Sequence, residues 1–461
     1  MTLFGTAGIR GPVADTVTPS LALAVGQAAG SPGESFVVGR DGRETGPALA
    51  AALEAGLESA GSNVERVGQV PTPALAFASQ GRRGVMITAS HNPPADNGIK
   101  LFVDGVEYDR EAEKAIESVV ETPDLAPWDE WGKPRRGDVL EGYRRAVVDY
   151  VRERFPAEDD RPLAGLSVAV DCGNGVGALA TPQVLDILGA DVVAINATVD
   201  GHFPARESKP TAETLTDFSA FLAEGSFHLG LAHDGDADRL VVLNGDGEVV
   251  HEDTILAVVA AHYAETSDAD DPVVVTTPNA SARIDERVRE AGGRVERVRL
   301  GSLHEGIARV EAAAAGDGTA GDTEVVFAAE PWKHIHTASG GWIDGVTSAA
   351  VVGALTLEAG SLEALRDPVT ERPYRKVSVD CPESAKGPAM ATLESTLPAA
   401  FDEAAVDTDY GVRLEFPDAS WLLVRPSGTE PYVRLYAESD DVDALVSDAR
   451  EVIESAVADH R

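Results

Sequence analysis

The 461-residue chain is short of several things. It has two cysteines, Cys172 and Cys381. They could pair once, but they are too few for a disulfide framework and lack the paired spacing of a zinc site, so a reducing compartment suits the count. It is short of lysine, with 7 among 38 basic residues against 77 acids, a net charge of −39. The field of such a chain repels nucleic acid and anionic membranes, which excludes both as expected partners. Aromatics are 5%. An acid-rich, lysine-poor, aromatic-poor surface is what concentrated salt favours, because a Debye length of about 3 Å at molar salt screens the self-repulsion. A merely acidic protein of ordinary salt is the plainer alternative. No run approaches the roughly 18 apolar residues of a membrane span. Met1-Thr2-Leu3-Phe4-Gly5 has neither the basic nor the apolar region of a signal peptide, and a cytoplasmic location is expected.

What is present is a large apolar fraction, 43%, enough for several cores, and a length of about three or four domains. Strand and helix patterns alternate. Ser35–Gly39, a helix at Pro47–Ala60, Val64–Val67 and Gly84–Thr88 make a first block. Leu166–Val170, a helix at Leu179–Leu188 and Asp191–Ile195 make a second; Pro272–Thr276, a helix at Ser281–Ala291 and Arg294–Val298 make a third. Such blocks imply three similar α/β domains with mostly parallel sheets and ligands at strand C-termini. After about Arg372 the pattern changes to short strands (Lys376–Val379, Val412–Phe416, Trp421–Val424, Tyr432–Ala437) with helices at Lys386–Leu397 and Val442–Ala458. The expected architecture is three mixed α/β domains, 1–150, 151–255 and 256–370, followed by a smaller α+β domain, 371–461. Linkers are expected at Leu125–Arg136, Phe155–Leu163 and Asp367–Pro373.

Four constellations carry chemistry. In Gly84-Val-Met-Ile-Thr-Ala-Ser-His-Asn-Pro-Pro-Ala-Asp-Asn-Gly-Ile-Lys100 a strand runs into a turn that exposes the Ser90 hydroxyl. A serine there can carry a phosphoryl group and needs a cation to offset its charge. Lys100 follows Asn97-Gly98, a turn signal, and can return toward Ser90; a Ser/Asn/Pro turn that only ends a strand is the bland alternative. In His233-Asp-Gly-Asp-Ala-Asp-Arg239 three acids at alternate positions follow an apolar strand. A tight turn aims Asp234, Asp236 and Asp238 at one point, an oxygen set suited to Mg²⁺. A calcium loop is a poor fit, since its sixth position here is Arg239. Arg425-Pro-Ser-Gly-Thr-Glu-Pro-Tyr-Val-Arg434 offers hydroxyls, backbone N–H groups and guanidinium forks to a phosphate; a plain hairpin loop is the alternative. Ala329-Glu-Pro-Trp-Lys-His-Ile-His336 brings a carboxylate, an indole and imidazoles to a strand end, where they could read a polyol, or form only a polar loop capped by a partly buried Trp.

Together these segments, with Phe4-Gly5-Thr6-Ala7-Gly8-Ile9-Arg10-Gly11 at the start, resemble the α-D-phosphohexomutase family of phosphoglucomutase, phosphomannomutase and phosphoglucosamine mutase. The resemblance spans essentially the whole chain, and with the composition it points to a salt-adapted archaeon. It implies a four-domain isomerase that moves a phosphoryl group between O1 and O6 of a hexose phosphate. It implies Ser90 as the phosphoserine, and Mg²⁺ held by the Ser90 phosphate, Asp234, Asp236 and Asp238. Arg10, His91, Lys100 and Arg239 then surround the transferring group, with Lys100 a general acid or base and His91 the runner-up. Glu330 and His334 fall where the family reads the sugar. Arg425, Ser427, Gly428, Thr429 and Arg434 hold the unreacting phosphate, and a hexose 1,6-bisphosphate is the intermediate. The family loop Gly-Glu-X-Ser-Gly-His is here Ala329-Glu-Pro-Trp-Lys-His334, with Trp332 for Ser and Lys333 for Gly. That leaves the sugar, glucose, mannose or glucosamine phosphate, open. A metal-dependent sugar-phosphate phosphatase and a non-catalytic sugar-phosphate-binding protein are the competing readings; oligomeric state stays open.

Overall fold

The computed structural model describes residues 3–5, 8–157, 159–318, 322–427 and 430–460. The chain forms two compact units, one of residues 1–255 with 326–366, the other of 256–325 with 367–461. Residues 256–370 thus fall partly in each unit, while the third strand–helix–strand block, 272–298, lies wholly in the second.

In the first unit, Ser35–Arg40, Asn63–Gln69 and Arg83–Ile87 are parallel neighbours, because helices Gly46–Ser59 and Thr72–Ala78 carry the chain back between them. Crossover helices of this kind cover the sheet, so its central strands Ser35–Arg40 and Arg83–Ile87 carry buried apolar runs, whereas Asn63–Gln69, nearer the edge, is mostly polar. The strands Ser35–Arg40 and Arg83–Ile87 end at the same sheet edge, which brings Asp41 and Ser90 to neighbouring loops. The sheet is mixed rather than mostly parallel. Asp96–Val103 lies antiparallel to Arg83–Ile87 and to Ile9–Pro12, placing Lys100 opposite Met86 and Arg10 opposite Gly98. Asn97-Gly98 therefore sits inside a strand, not at the turn its sequence suggests. Tertiary pairing overrides the local signal, and a Cβ at Gly98 would lie 2.4 Å from the Thr88 carbonyl oxygen and 2.6 Å from that of Ile9.

The second sheet repeats the logic. Leu229–His233 is parallel to Ser167–Asp171 and antiparallel to Leu240–Asn244, so the Asp234–Asp238 turn links two adjacent strands. The expected helix at Leu179–Leu188 begins later. A 3₁₀ turn covers Val176–Leu179 and the α-helix is Thr181–Leu188, because Pro182 lacks an N–H and restricts the residue before it. Thr323–Glu330 and Lys333–Ile335 form a hairpin, followed by Gly345–Ala359, a helix capped by Asp344, which accepts from Thr347 N. A core of Val17, Val25, Phe36, Leu53, Leu57, Val85, Ile87 and Ile99, all fully buried, backs the first sheet. At about 2–5 kcal/mol per buried leucine truncated to alanine, this core fixes the strand ends that carry the site.

In the second unit, Asp271–Thr276 and Arg294–Arg297 pair in parallel across helix Arg283–Glu290. The tail is a five-stranded antiparallel sheet, Tyr374–Asp380, Tyr432–Glu438, Trp421–Pro426, Val412–Glu415 and Ala405–Asp407 in spatial order, backed by helices Glu383–Ala400 and Val442–Ala458. Arg283 and Glu438 form a buried ion pair at 2.8 Å, Trp421 Nε1 donates to the same carboxylate at 3.0 Å, and the Arg413 guanidinium lies 4.2 Å from the Trp421 ring centroid. Neither cysteine is joined in a disulfide among the described residues, and both are buried. No helix among the described residues is long and apolar enough to cross a membrane.

Candidate active site

Ser90 stands one loop beyond Arg83–Ile87, at φ 51°, a left-handed conformation that serine adopts only when its surroundings impose it. The surroundings are a buried arginine that the motifs do not announce. Arg43 Nε donates to Asp41 at 3.0 Å. Its terminal nitrogens donate to the carbonyls of Pro93 (2.6 Å), Asp96 (2.9 Å), Ser90 (2.9 Å) and Asn92 (2.7 Å). All five of its N–H groups are used. Thr88 Oγ1 donates to Asp41 at 2.7 Å and accepts from Ser90 N at 2.8 Å, while Ser208 Oγ donates to Ser90 O at 2.9 Å. The Gly39-Arg-Asp-Gly-Arg43 run at a strand end was the available signal.

The Ser90 hydroxyl donates to Asp234 Oδ2 at 2.6 Å, with Asp238 Oδ1 at 3.5 Å and His91 Nδ1 at 3.3 Å. Asp234, Asp236 and Asp238 are all buried, with ligand atoms within 4.8 Å of one another. Gly235 lets the acid turn approach the serine loop: a Cβ there would lie 2.8 Å from Ser90 O. Thr72, at the start of a neighbouring helix, holds Asp236 through its hydroxyl (2.6 Å) and its N–H (2.9 Å to the backbone carbonyl).

Lys100 Nζ reaches into this cluster, 2.9 Å from Asp238, 3.7 Å from Asp236 and 3.5 Å from Glu107. Burial alone would lower its pKa, the direction a general base needs. The carboxylates of Asp238, Glu107 and Asp236 outweigh burial and raise it, so Lys100 is held as a cation. Asp234 is pushed well up by burial and by Asp238 and Asp236. Asp238 is driven well down, because Lys100, Lys333 and Arg239 overcome its burial. His91 falls to about 2 through burial, Arg239, Arg10 and Lys333, and is neutral. Arg239 lies 3.7 Å from Asp234 and 3.9 Å from Asp238.

The donor set fits a divalent cation with a phosphoryl group. Among the described residues Asp236 Oδ1 is buried without a hydrogen-bond partner, and so are Arg10 Nε and Nη2 and Arg239 Nε. A buried acceptor among carboxylates and unpaired guanidinium donors are what Mg²⁺ and phosphate oxygens would complete.

The hairpin after Glu330 is tied to the acid turn: Trp332 O accepts from Leu240 N at 3.0 Å. Glu330 pairs with Lys333 in register. Trp332, at φ 70°, packs against the apolar cluster of Leu215, Phe218, Val241 and Leu243, with Lys209 Nζ 5.9 Å from its ring centroid. Sequence reading missed Lys209. His334 is buried, and burial lowers it to about 4.

In the second unit Arg425 and Arg434 stand directly opposite each other on adjacent strands. Like charges so placed repel, which argues for an anion-binding purpose. Arg425 donates to Tyr436 OH at 2.7 Å and Arg434 to Tyr432 OH at 2.6 Å, leaving the Nε of each buried without a hydrogen-bond partner among the described residues. Ser427 is buried, and its carbonyl accepts from Lys386 Nζ at 2.7 Å, a third cation, one the motif did not include. Gly428 and Thr429, like Thr6 and Ala7 of the N-terminal motif, lie outside the described residues.

Comparison with known proteins completes the picture. Family models described as "Phosphoglucomutase/phosphomannomutase, alpha/beta/alpha domain I", the corresponding domain II, and the C-terminal domain match residues 1–126, 145–247 and 377–455. The chain belongs to the phosphoglucomutase/phosphomannomutase, or α-D-phosphohexomutase, family. It is an isomerase of the phosphotransferase kind. It is 39% identical over 449 residues to a phosphopentomutase of Thermococcus kodakarensis, covering 95% of this chain and 94% of that one. It is 39% identical over 450 residues to a probable phosphoglucosamine mutase of Methanopyrus kandleri, with the same coverage. Its fold matches the crystal structure of a phosphoglucomutase/phosphomannomutase family protein from Burkholderia thailandensis, at TM-score 0.83 and 26% identity, over 99% of this chain and 97% of that one.

Proposed function

We propose that this chain moves a phosphoryl group between O1 and O6 of a hexose phosphate through a phosphorylated Ser90 and a hexose 1,6-bisphosphate. The observation that carries the reading is the Ser90 hydroxyl, held in a left-handed loop 2.6 Å from Asp234 inside a buried three-carboxylate cluster. Asp234, Asp236, Asp238 and the Ser90 oxygen would hold Mg²⁺, which would offset charge on the transferring phosphoryl group.

The chain's own groups then divide the work. The P–O bond to Ser90 breaks as a bond to the sugar hydroxyl forms, and the hydroxyl's proton leaves. That proton passes to a phosphoryl oxygen or to water, because His91, held at about 2, is neutral but a poor acceptor; Lys100, held as a cation, suits the donor side, returning a proton to the departing Ser90 oxygen. Arg10 and Arg239 supply unpaired donors to the phosphoryl oxygens. Arg425, Arg434, Ser427, Gly428 and Thr429 would grip the phosphate that stays on the sugar, and Glu330, Trp332, Lys333 and His334 would read its hydroxyls. The bisphosphate turns over between the two half-reactions. Domains 1–150, 151–255, 256–370 and 371–461, a cytoplasmic location and adaptation to concentrated salt belong to the same reading, as does the absence of nucleic-acid and membrane partners.

The substrate's sugar is the open choice. The relatives' names favour glucosamine phosphate, with a pentose phosphate second because the T. kodakarensis relative carries that activity in its name. The test is ³¹P NMR of the protein in concentrated KCl with Mg²⁺ and a trace of glucose 1,6-bisphosphate, presented with the 1-phosphates of glucosamine, glucose, mannose and ribose. Conversion of a hexose 1-phosphate, abolished by Ser90→Ala, supports the proposal. Release of inorganic phosphate instead points to a phosphatase, and binding without turnover to a sugar-phosphate-binding protein.

A further inference from the structure

We infer that Ser348 fixes His334 as its Nδ1–H tautomer, so that His334 Nε2 can meet a substrate only as a hydrogen-bond acceptor. Ser348 lies in the first turn of the helix Gly345–Ala359 and is fully buried. Its Oγ is 2.7 Å from the carbonyl oxygen of Asp344. Two oxygens that close need a proton between them, and a carbonyl has none, so the serine hydroxyl donates there. The same Oγ is 3.1 Å from His334 Nδ1 and 2.8 Å from His336 Nε2. With its one hydrogen committed, Oγ can only accept from both rings. His334 must then carry its hydrogen on Nδ1, and His336 on Nε2. The two imidazoles are opposite tautomers of one motif.

The frame leaves little room for another arrangement. Asp344 accepts from Thr347 N at 2.8 Å, Tyr143 OH at 2.8 Å and Trp342 Nε1 at 3.2 Å, and its own N–H donates to His334 O at 2.8 Å. Backbone and side chain of His334 are thus both referred to the start of one helix. Phe327 lies beside both rings, with centroids at 5.5 Å. Burial keeps His334 neutral near pH 7, so it has one proton, and Ser348 decides where. Nε2 is left with a lone pair and forms no hydrogen bond to the described residues.

The consequence for substrate rests on the reading that His334 meets the sugar. The group facing Nε2 must donate: a hydroxyl or an amine qualifies, whereas a fluorine, an ether oxygen or a carbonyl sets lone pair against lone pair. Such an unpaired contact weakens binding about 10- to 100-fold. Ser348 is on this account a positioning residue, acting through His334 without touching substrate.

The test reads the tautomer itself. The full chain with ¹⁵N-histidine, in Mg²⁺ at pH 7.5, gives long-range ¹H–¹⁵N spectra in which protonated and unprotonated ring nitrogens separate; His334→Gln and His336→Gln assign the two rings. The expected result is a protonated Nδ1 on His334 and a protonated Nε2 on His336. Ser348→Ala should bring His334 to a mixture of tautomers, and Ser348→Thr, which keeps the hydroxyl, should restore the single form. A protonated Nε2 on His334 in the unaltered protein, or an unchanged tautomer in Ser348→Ala, overturns the inference. The tautomer is read without turnover, so a chain that proves inactive as a mutase defeats the functional proposal and not this one.

Discussion

Replacing Arg43 by methionine keeps the side chain's length and removes its charge and all five donors. Four carbonyls of the serine loop and the Asp41 carboxylate lose their partner at once. Leaving a buried charge unpaired costs about 3–5 kcal/mol. Asp41 keeps its bonds from Arg43 N and Thr88, and burial already raises its pKa, so protonation relieves part of that cost. Each stranded carbonyl adds about 1–3 kcal/mol unless water reaches it. A local loss of about 4 kcal/mol is a moderate total, equivalent to about a thousandfold in the opening equilibrium of the loop. Hydrogen exchange of a peptide spanning 88–98 reads that equilibrium directly, and intact mass reads the rate at which Ser90 takes a phosphoryl group from glucose 1,6-bisphosphate. Exchange should accelerate by two to three orders of magnitude, and phosphorylation should slow at least a hundredfold, since misplacing a reacting atom by about 1 Å costs that much. Arg43→Lys, with three donors and no planar fork, should recover less than half of the loss on a logarithmic scale. Protection within threefold of the unaltered protein, with normal phosphorylation, would refute the reasoning.

Three further outcomes are expected. Mg²⁺ should raise the thermal midpoint, by about 2.7 kcal/mol of stability at a hundred times its dissociation constant, and Asp236→Asn should abolish most of that rise while being no less stable in EDTA, since one of three crowded carboxylates is gone; an undiminished Mg²⁺ response contradicts the ligand role. Burial holds His334 at about 4 when folded, against about 6.5 when unfolded, so the unfolded chain binds the proton first. The associated stability is complete above pH 6.5 and falls by about 3 kcal/mol as pH drops toward 4; His334→Gln should flatten the slope of thermal midpoint against pH, and an unaltered slope counts against it. Arg425→Ala should raise KM about 10- to 100-fold, the worth of a charged hydrogen bond to phosphate, with little loss of stability because a like-charge cross-strand pair is relieved; an unchanged KM would remove Arg425 from the phosphate grip.

The sequence shows the charged groups of this site far better than the groups that place them. Ser90, Asp234, Asp236 and Asp238 were legible because their motifs are contiguous and each follows an apolar strand, and the structure brings all four within one buried cluster. The leading strands of the three repeating blocks were legible for the same reason: short apolar runs such as Phe36-Val-Val38, Val168-Ala-Val170 and Val273-Val-Val275 between turn signals admit few alternatives. Lys100 was legible as a residue but not as a chemical state. Its burial suggests a lowered pKa until Asp238 and Glu107, one of them 138 positions away, are seen beside it. Asn97-Gly98 reads as a turn in isolation, and only pairing on both sides makes it a strand.

Arg43, marked only by its place in a strand-end run, and Ser348 escaped the sequence for a deeper reason. Arg43 acts on backbone carbonyls, which every residue possesses, so no side-chain pattern marks its targets. Ser348 acts on a proton's position, which depends on where a third residue's carbonyl lies. Neither role follows from residue type at a fixed spacing. Such backbone-directed contacts also explain why the charged groups of the site can be left incomplete: Asp236 Oδ1, Arg10 Nε and Nη2, and Arg239 Nε have no hydrogen-bond partner among the described residues. If those charged atoms had to hold the loops in place, they would be hydrogen-bonded to one another. Because Arg43, Thr72 and Ser208 do the holding, the charged atoms remain available to a phosphoryl group and its cation, and binding those partners recovers interactions that folding alone does not make.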